Sequence, residues 1–306
     1  MKETSFTFAS PADGLDIHVL LVEPTGDTKG TILMAHGVME YKERYLPMMR
    51  VFAENGFVCA MNDHRGYGKS IKNADDYGYT YEQGANGMMM DTRALGNWMM
   101  KKYYGKKHFL YGHSMGALLA VNYLKTHSKE LHGAILSALP AANPAASIGK
   151  QYLRIWQGIK GARFRDQVTA KLVFDRYINR FKAEGSQNAW INSDPERVKA
   201  YEEDPMCGGL LTIDGYRALI DLMASAYDAK SFQNVQSAMP VEILAGSDDP
   251  CANGETGARK GREFLKSAGF TRASYTMYPG MRHEIHNEPD GERVITDMVN
   301  QLMAWL

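Results

Sequence analysis

Cysteine is scarce in this chain. Cys59, Cys207 and Cys251 are the only three in 306 residues, too few for a disulfide scaffold and an odd number that cannot all pair internally, which points to a reducing, cytoplasmic setting. None has the C-x-x-C spacing of a structural zinc site, so no metal and no cofactor are expected. An excess of either charge is also missing. Lys+Arg and Asp+Glu both number 35, and a chain with zero formal net charge has no global field for collecting nucleic acid or a strongly anionic surface. Long hydrophobic runs are absent too: no segment approaches the roughly 18 uncharged apolar residues of a membrane span, and Met1–Phe8 lacks the apolar stretch of a signal peptide. Internal repeats and low-complexity tracts do not occur. What is present is a chain with 44% hydrophobic residues, which excludes a disordered or fibrous protein and suffices for one large core or a core with an elaborated insertion.

Residues 3–8 and 15–22 are strand-like and flank the turn-forming Pro11-Ala12-Asp13-Gly14, which predicts a hairpin. Six short apolar runs of the fully buried kind follow: 30–35, 57–61, 108–111, 133–136, 240–245 and 272–278. Between them lie amphipathic stretches of helical length at 41–55, 87–104, 115–127, 255–267 and 291–305. This alternation predicts a mostly parallel eight-stranded sheet with helices on both faces. It breaks between 140 and 239, where successive helices read without a buried strand. The expected organisation is a core at 1–139 and 240–306 with a helical cap at 140–239. On the cap, Ile148, Tyr152, Leu153, Ile155, Trp156 and Ile159 recur at helical spacing and suit either an apolar channel or the cap's own core. The consecutive methionines Met88-Met89-Met90 and Met99-Met100 read as helix packing rather than as metal ligands.

The segment Gly112-His113-Ser114-Met115-Gly116 places a G-x-S-x-G between a strand and a helix. Such a turn lifts the serine oxygen above the sheet, and small residues two before and two after let neighbouring backbone approach. The following helix points its first amides at the reaction centre, so the Met115 N–H is a candidate oxyanion donor. A serine hydroxyl needs a histidine to take its proton and a carboxylate to hold that imidazole. The run 241–245 ends in Gly246-Ser247-Asp248-Asp249-Pro250, and the run 274–278 leads into Pro279-Gly280-Met281-Arg282-His283-Glu284-Ile285-His286. Both loops follow strand ends, where active sites of open α/β sheets lie. Asp249 is preferred, with Asp248 in reserve, because Pro250 fixes the loop behind it. His283 is preferred to His286 because it directly follows the Gly280 turn. The strand ending at His36-Gly37-Val38 offers the Val38 N–H as second oxyanion donor, with His36 shaping the loop.

Other motifs fail on spacing. Gly66-Tyr67-Gly68-Lys69-Ser70 ends like a phosphate-binding loop but has Asp63 where glycine is required, and His283 and His286 are three apart, not the four of a zinc-protease helix. With these pieces in place, the sequence resembles the monoacylglycerol lipase and lysophospholipase branch of the α/β-hydrolases, the serine aminopeptidase-like hydrolases. The resemblance rests on His36-Gly37-Val38-Met39-Glu40 with Arg44-Tyr45, on Asp63-His64-Arg65-Gly66-Tyr67-Gly68-Lys69-Ser70, on the Gly112–Gly116 elbow, on the G-x-x-D and G-x-x-H loops ending in Asp249 and His283, and on Asp204-Pro205-Met206. It implies the α/β-hydrolase fold and hydrolysis of a small-molecule carboxylic ester, with neither nucleic acid nor stable membrane insertion and with a homo-oligomer left open. It also implies a polar group of Glu40, Arg44 and His286 near the alcohol end of a substrate, and His36 and His113 join them as substrate-binding candidates. Glu40 and Arg44 are equally an ordinary surface pair four residues apart on a helix. An aminopeptidase or thioesterase is the alternative, favoured if the cap acids Glu202, Glu203 and Asp204 face Ser114, and a non-catalytic ligand receptor is the reading from outside enzymes. Cys251, close behind the Asp249 loop, is either a modifiable thiol or a buried inert one.

Overall fold

The computed structural model describes residues 1–306. The chain opens with the hairpin, β1 (Lys2–Ala9) against β2 (Asp16–Glu23), and continues through six mutually parallel strands: β3 (Gly30–Ala35), β4 (Phe57–Asn62), β5 (Lys107–His113), β6 (Gly133–Ser137), β7 (Val241–Gly246) and β8 (Ala273–Tyr278). The sheet order is β1-β2-β4-β3-β5-β6-β7-β8. Interior strands β3, β4, β6 and β7 are buried at every position, because helices cover both faces, whereas the edge strand β1 alternates and is mostly exposed. Nine helices complete the fold: α1 (Leu46–Glu54), α2 (Gly84–Lys102), α3 (Met115–His127), α4 (Ala146–Lys160), α5 (Gln167–Arg180), α6 (Pro195–Glu203), α7 (Ile213–Ala226), α8 (Gly254–Ser267) and α9 (Gly291–Ala304).

Side-chain alternation divides the interior in two. Leu33 and Ala35 of β3 join one cluster with α2, α3 and α8, while Ile32 and Met34 of the same strand join the other with α1 and α9. The helix expected over 41–55 is shorter than its apolar period suggests. Lys42–Tyr45 form a 3₁₀ turn and the α-helix begins at Leu46, with Pro47 in its first turn, where a missing N–H costs nothing. Within the D-x-R-G-x-G-x-S segment, Asp63 accepts from the Lys42 Nζ at 2.5 Å, the Lys42 N–H at 2.9 Å and the Lys69 N–H at 2.8 Å. A Cβ at Gly68 would collide with that carboxylate. The segment thereby pins the turn after β4.

Between β6 and β7 the chain runs through α4 to α7. The helices begin at side-chain caps where the sequence offers them: Asp166 for α5, Asp194 for α6 and Thr212 for α7. α7 lies against α2, α3 and α4, and Leu219, Leu222 and Met223 belong to the core cluster of that face. α5, the segment between it and α6, Tyr201 of α6, the segment Gly208–Leu210 and Tyr216 of α7 are the parts of this stretch that line the space above the carboxyl ends of the strands.

Candidate active site

Ser114 stands at the end of β5, immediately before α3, with φ +54° and ψ −118°. An L-residue pays for this conformation, and the surrounding chain enforces it. The close approaches explain the flanking glycines: a Cβ at Gly112 would run into the Gly116 carbonyl, and one at Gly116 into the Ala35 carbonyl. Ser114 Oγ lies 2.8 Å from Nε2 of His283, whose Nδ1 lies 2.9 Å from Oδ2 of Asp249. The other oxygen of Asp249 accepts the Cys251 and Ala252 N–H groups at 2.8 and 3.2 Å, which fixes the carboxylate's orientation. Asp248 points elsewhere and accepts only the Ser247 hydroxyl. Burial works against a charged imidazole at His283, but the Asp249 carboxylate outweighs it, and the proton affinity ends above the ordinary histidine value.

Gly37 presses against the serine: a Cβ placed on it would sit 3.3 Å from the Ser114 Cβ. The neighbouring Val38 N–H and the Met115 N–H make no hydrogen bond within the protein. The loop carrying Val38 is braced by Glu40, whose Oε1 accepts the Gly37 N–H at 2.5 Å and the Tyr45 hydroxyl at 2.7 Å. Its Oε2 accepts from Arg44 at 2.7 Å, and Arg44 forks onto both oxygens of Glu284 at 2.7 and 2.8 Å. Glu40 and Arg44 are therefore turned inward and are not a surface pair. Two carboxylates share one guanidinium: burial raises the Glu40 proton affinity, while at Glu284 the doubly bonded Arg44 overrides burial and lowers it.

The remaining histidines have different duties. His36 does not reach the substrate side. It is fully buried, with Nδ1 at 2.7 Å from its neighbour's Gly37 carbonyl and Nε2 accepting the His64 N–H at 2.9 Å, and burial pushes it down to about 3. His113 lies between His283 and His286, with ring centres 5.0 and 5.1 Å away, and burial holds it well below the usual range. His286 stacks on Tyr45 at 4.9 Å, its two ring nitrogens are unpartnered, and burial lowers it to about 4. Of the four histidines in this cluster, only His283 has a raised affinity. Cys251 is buried beside Asp249, and burial pushes its thiol up, away from the thiolate that reacts.

A cavity of about 500 Å³ opens over Ser114. Val38, Met39, Phe174, Ile178, Trp190 and Ile191 give it apolar walls, and Gln167, Lys171, Asp175, Gln187 and Asn188 give it polar ones. The six apolar α4 residues expected as a channel are not among its walls. Leu153 is 2% exposed and packs inward, whereas Ile148, Ile155 and Ile159 are 74%, 64% and 65% exposed. The cavity is walled by α5, because its Ala170, Phe174 and Ile178 face the core while α4 turns its isoleucines out. Glu202, Glu203 and Asp204 do not line the cavity; Glu202 accepts from Ser186 and Asn188, and Asp204 from Tyr41. Sequence reasoning missed Trp190, whose ring lies 4.8 Å from that of His283, and Glu284, which adjoins the histidine and carried no spacing signal.

Residues 26–290 match the family described as serine aminopeptidase, S33. The chain is 25% identical over 287 residues to a monoacylglycerol lipase of Mycolicibacterium smegmatis, covering 92% of this chain and 91% of that protein. It is 24% identical over 302 residues to a human monoglyceride lipase, covering 96% and 88%. Among solved structures it is similar to a highly thermostable carboxyl esterase from Bacillus coagulans in complex with glycerol, with a TM-score of 0.92, 26% identity and 99% of each chain covered.

Proposed function

The chain belongs to the serine aminopeptidase S33 family of α/β-hydrolases, and from that premise we propose that this carboxylic-ester hydrolase cleaves a small monoester of the monoacylglycerol or lysophospholipid type through Ser114, His283 and Asp249. The reading is carried by one observation, the continuous hydrogen-bonded line from Ser114 Oγ through both ring nitrogens of His283 to Asp249 at the floor of the cavity. His283 Nε2 takes the serine proton as Oγ attacks the ester carbonyl carbon. Asp249 holds the proton on Nδ1 and stabilises the imidazolium. The Val38 and Met115 N–H groups, which have no other partner, receive the oxyanion. Collapse breaks the bond to the alcohol oxygen, which leaves with the proton from Nε2, and the acyl group stays on Ser114. Water, deprotonated by the same nitrogen, attacks the acyl-enzyme and releases the carboxylic acid.

The mixed walls of the cavity favour a substrate with an apolar acyl chain and a polar head, and the relatives named as monoglyceride lipases support that class. The cap over the site we set at residues 140–212, since α7 packs on α2 and α3, the helices that cover this face of the sheet. Ser114→Ala is expected to lower hydrolysis of p-nitrophenyl butyrate by about 10⁴-fold or more without loss of cooperative unfolding. Wild-type turnover by that variant would remove Ser114 from the mechanism. A panel of monoacylglycerols, lysophospholipids and aminoacyl anilides then reads the head group, and preference for the anilides would favour a peptidase.

A further inference from the structure

The loop bearing His283 is held in two halves by two different parts of the chain. From Tyr278 to Met281 its partners come from the end of β7: the Ser247 N–H donates to the Tyr278 carbonyl, the Asp248 N–H to the Met281 carbonyl, and the Gly280 N–H to the Ser247 hydroxyl. From Arg282 onward its long-range partners lie chiefly between α5 and α6. The Glu284 N–H donates to the Ile191 carbonyl at 2.8 Å. Asn192 and Arg197 both donate to the Asn287 carbonyl, at 2.7 and 2.6 Å. Glu288 accepts the Ser193 N–H and hydroxyl together with the N–H of Arg282.

Arg282 makes the most numerous of these fastenings. Its guanidinium donates to the Ala189 carbonyl at 2.5 Å and the Asn192 carbonyl at 3.2 Å, forks onto Glu184 at 2.6 and 2.8 Å, and covers the Phe181 ring at 3.9 Å. The side chain is 11% exposed. Arg282 and Glu284, the two neighbours of His283, are thus both tied to the segment that carries Trp190, and Trp190 covers the His283 ring.

We infer that Arg282 is a positioning residue, which aims the His283 ring at Ser114 by fastening its loop to the cap segment Glu184–Ser193. The base is then in place only while that segment is seated, so the cap acts on the chemical step as well as on substrate entry. A misplacement of a base by a fraction of an ångström affects the reacting state more than the binding of substrate, so the loss belongs in kcat. This inference rests on the reading of His283 as general base.

Arg282→Met removes every side-chain donor and keeps the aliphatic length, Arg282→Lys keeps charge and one point of contact, and Glu184→Gln removes the exposed ion pair but leaves the two carbonyl contacts. On p-nitrophenyl butyrate, Arg282→Met is expected to lower kcat by roughly 10- to 100-fold with KM within about twofold. The rate at which a short fluorophosphonate labels Ser114 should fall in parallel. Arg282→Lys should recover part of both rates, and Glu184→Gln should stay near wild type. Unchanged kcat and labelling in Arg282→Met, or a rise in KM alone, overturns the inference. If Arg282→Met does not unfold cooperatively, Arg282→Lys decides: a reduced kcat at unchanged KM supports the fastening, and a wild-type kcat overturns it. Retained turnover in Ser114→Ala would sink the catalytic reading itself, whereas wild-type Arg282 variants beside an inactive Ser114→Ala sink only this inference.

Discussion

At the scale of single residues, the proposed mechanism makes one imidazole carry the pH dependence. His36, His113 and His286 all have proton affinities lowered first by burial, whereas Asp249 lifts that of His283 above 6.5 despite burial. A general base works in its neutral form, so activity is lost as pH falls through the raised value. The acid limb of kcat/KM is therefore expected to have its midpoint above 6.5. Asp249→Asn removes both the charge and the acceptor at Nδ1; kcat should drop by about 10⁴-fold and the residual acid limb should move to lower pH. A pH–rate profile checks both, and an unmoved limb would mean that Asp249 is not what raises His283. The same residue-scale logic explains why Glu40 stays close to the oxyanion loop: it satisfies the Gly37 N–H, and Arg44 and Tyr45 supply its remaining donors.

At the scale of elements, α5 stands where the apolar period of α4 offered a channel wall. Both are amphipathic, but only α5 presents its apolar face, including Phe174 and Ile178, to the cavity. Phe174→Ala is expected to enlarge the acyl site and shift the preferred chain length upward across a series of p-nitrophenyl esters. Ile155→Ala, at a position 64% exposed, should leave kcat/KM on a short soluble ester within about twofold and stability within about 0.5 kcal/mol. Equal shifts in chain-length preference from the two variants would mean that α4 lines the acyl site after all. The short helix α1 follows the same lesson: its apolar period reaches back to Tyr41, but Pro47 dictates where the α-helical ladder can begin.

At the scale of the whole molecule, the antiparallel hairpin has to be joined to the parallel sheet and its helices. Arg65, with no exposed surface, makes that junction: its Nε donates to Asp91 of α2 at 2.8 Å, and its terminal nitrogens to Ser10 at 2.7 Å and Asp13 at 2.9 Å in the hairpin turn. Burial raises the proton affinity of Asp91 even with Arg65 beside it, so the carboxylate depends on that partner. Arg65→Met should destabilise the protein by about 3–5 kcal/mol in urea denaturation, because a buried charge is left uncompensated. A loss under about 1 kcal/mol would show that the network is replaceable by packing.

The alternation of buried strands and amphipathic helices, the serine elbow and the two loops that bear Asp249 and His283 were all legible in the sequence. Their signals are local: period-two and period-3.6 patterns report the face an element buries, and glycines at 112 and 116 report backbone that must pass within contact distance. The preference for Asp249 over Asp248 was half legible, through Pro250; in the structure the loop turns the Asp249 carboxylate to His283 and that of Asp248 to solvent-side Ser247. What tertiary structure alone decided are pairings between distant parts of the chain: Arg44 with Glu284, Trp190 over His283, Arg282 on the cap, and α5 rather than α4 over the cavity. The energy of such contacts depends on what another element brings to the same place. A periodic pattern within one segment states that a face will be covered, and only the packed fold states by what.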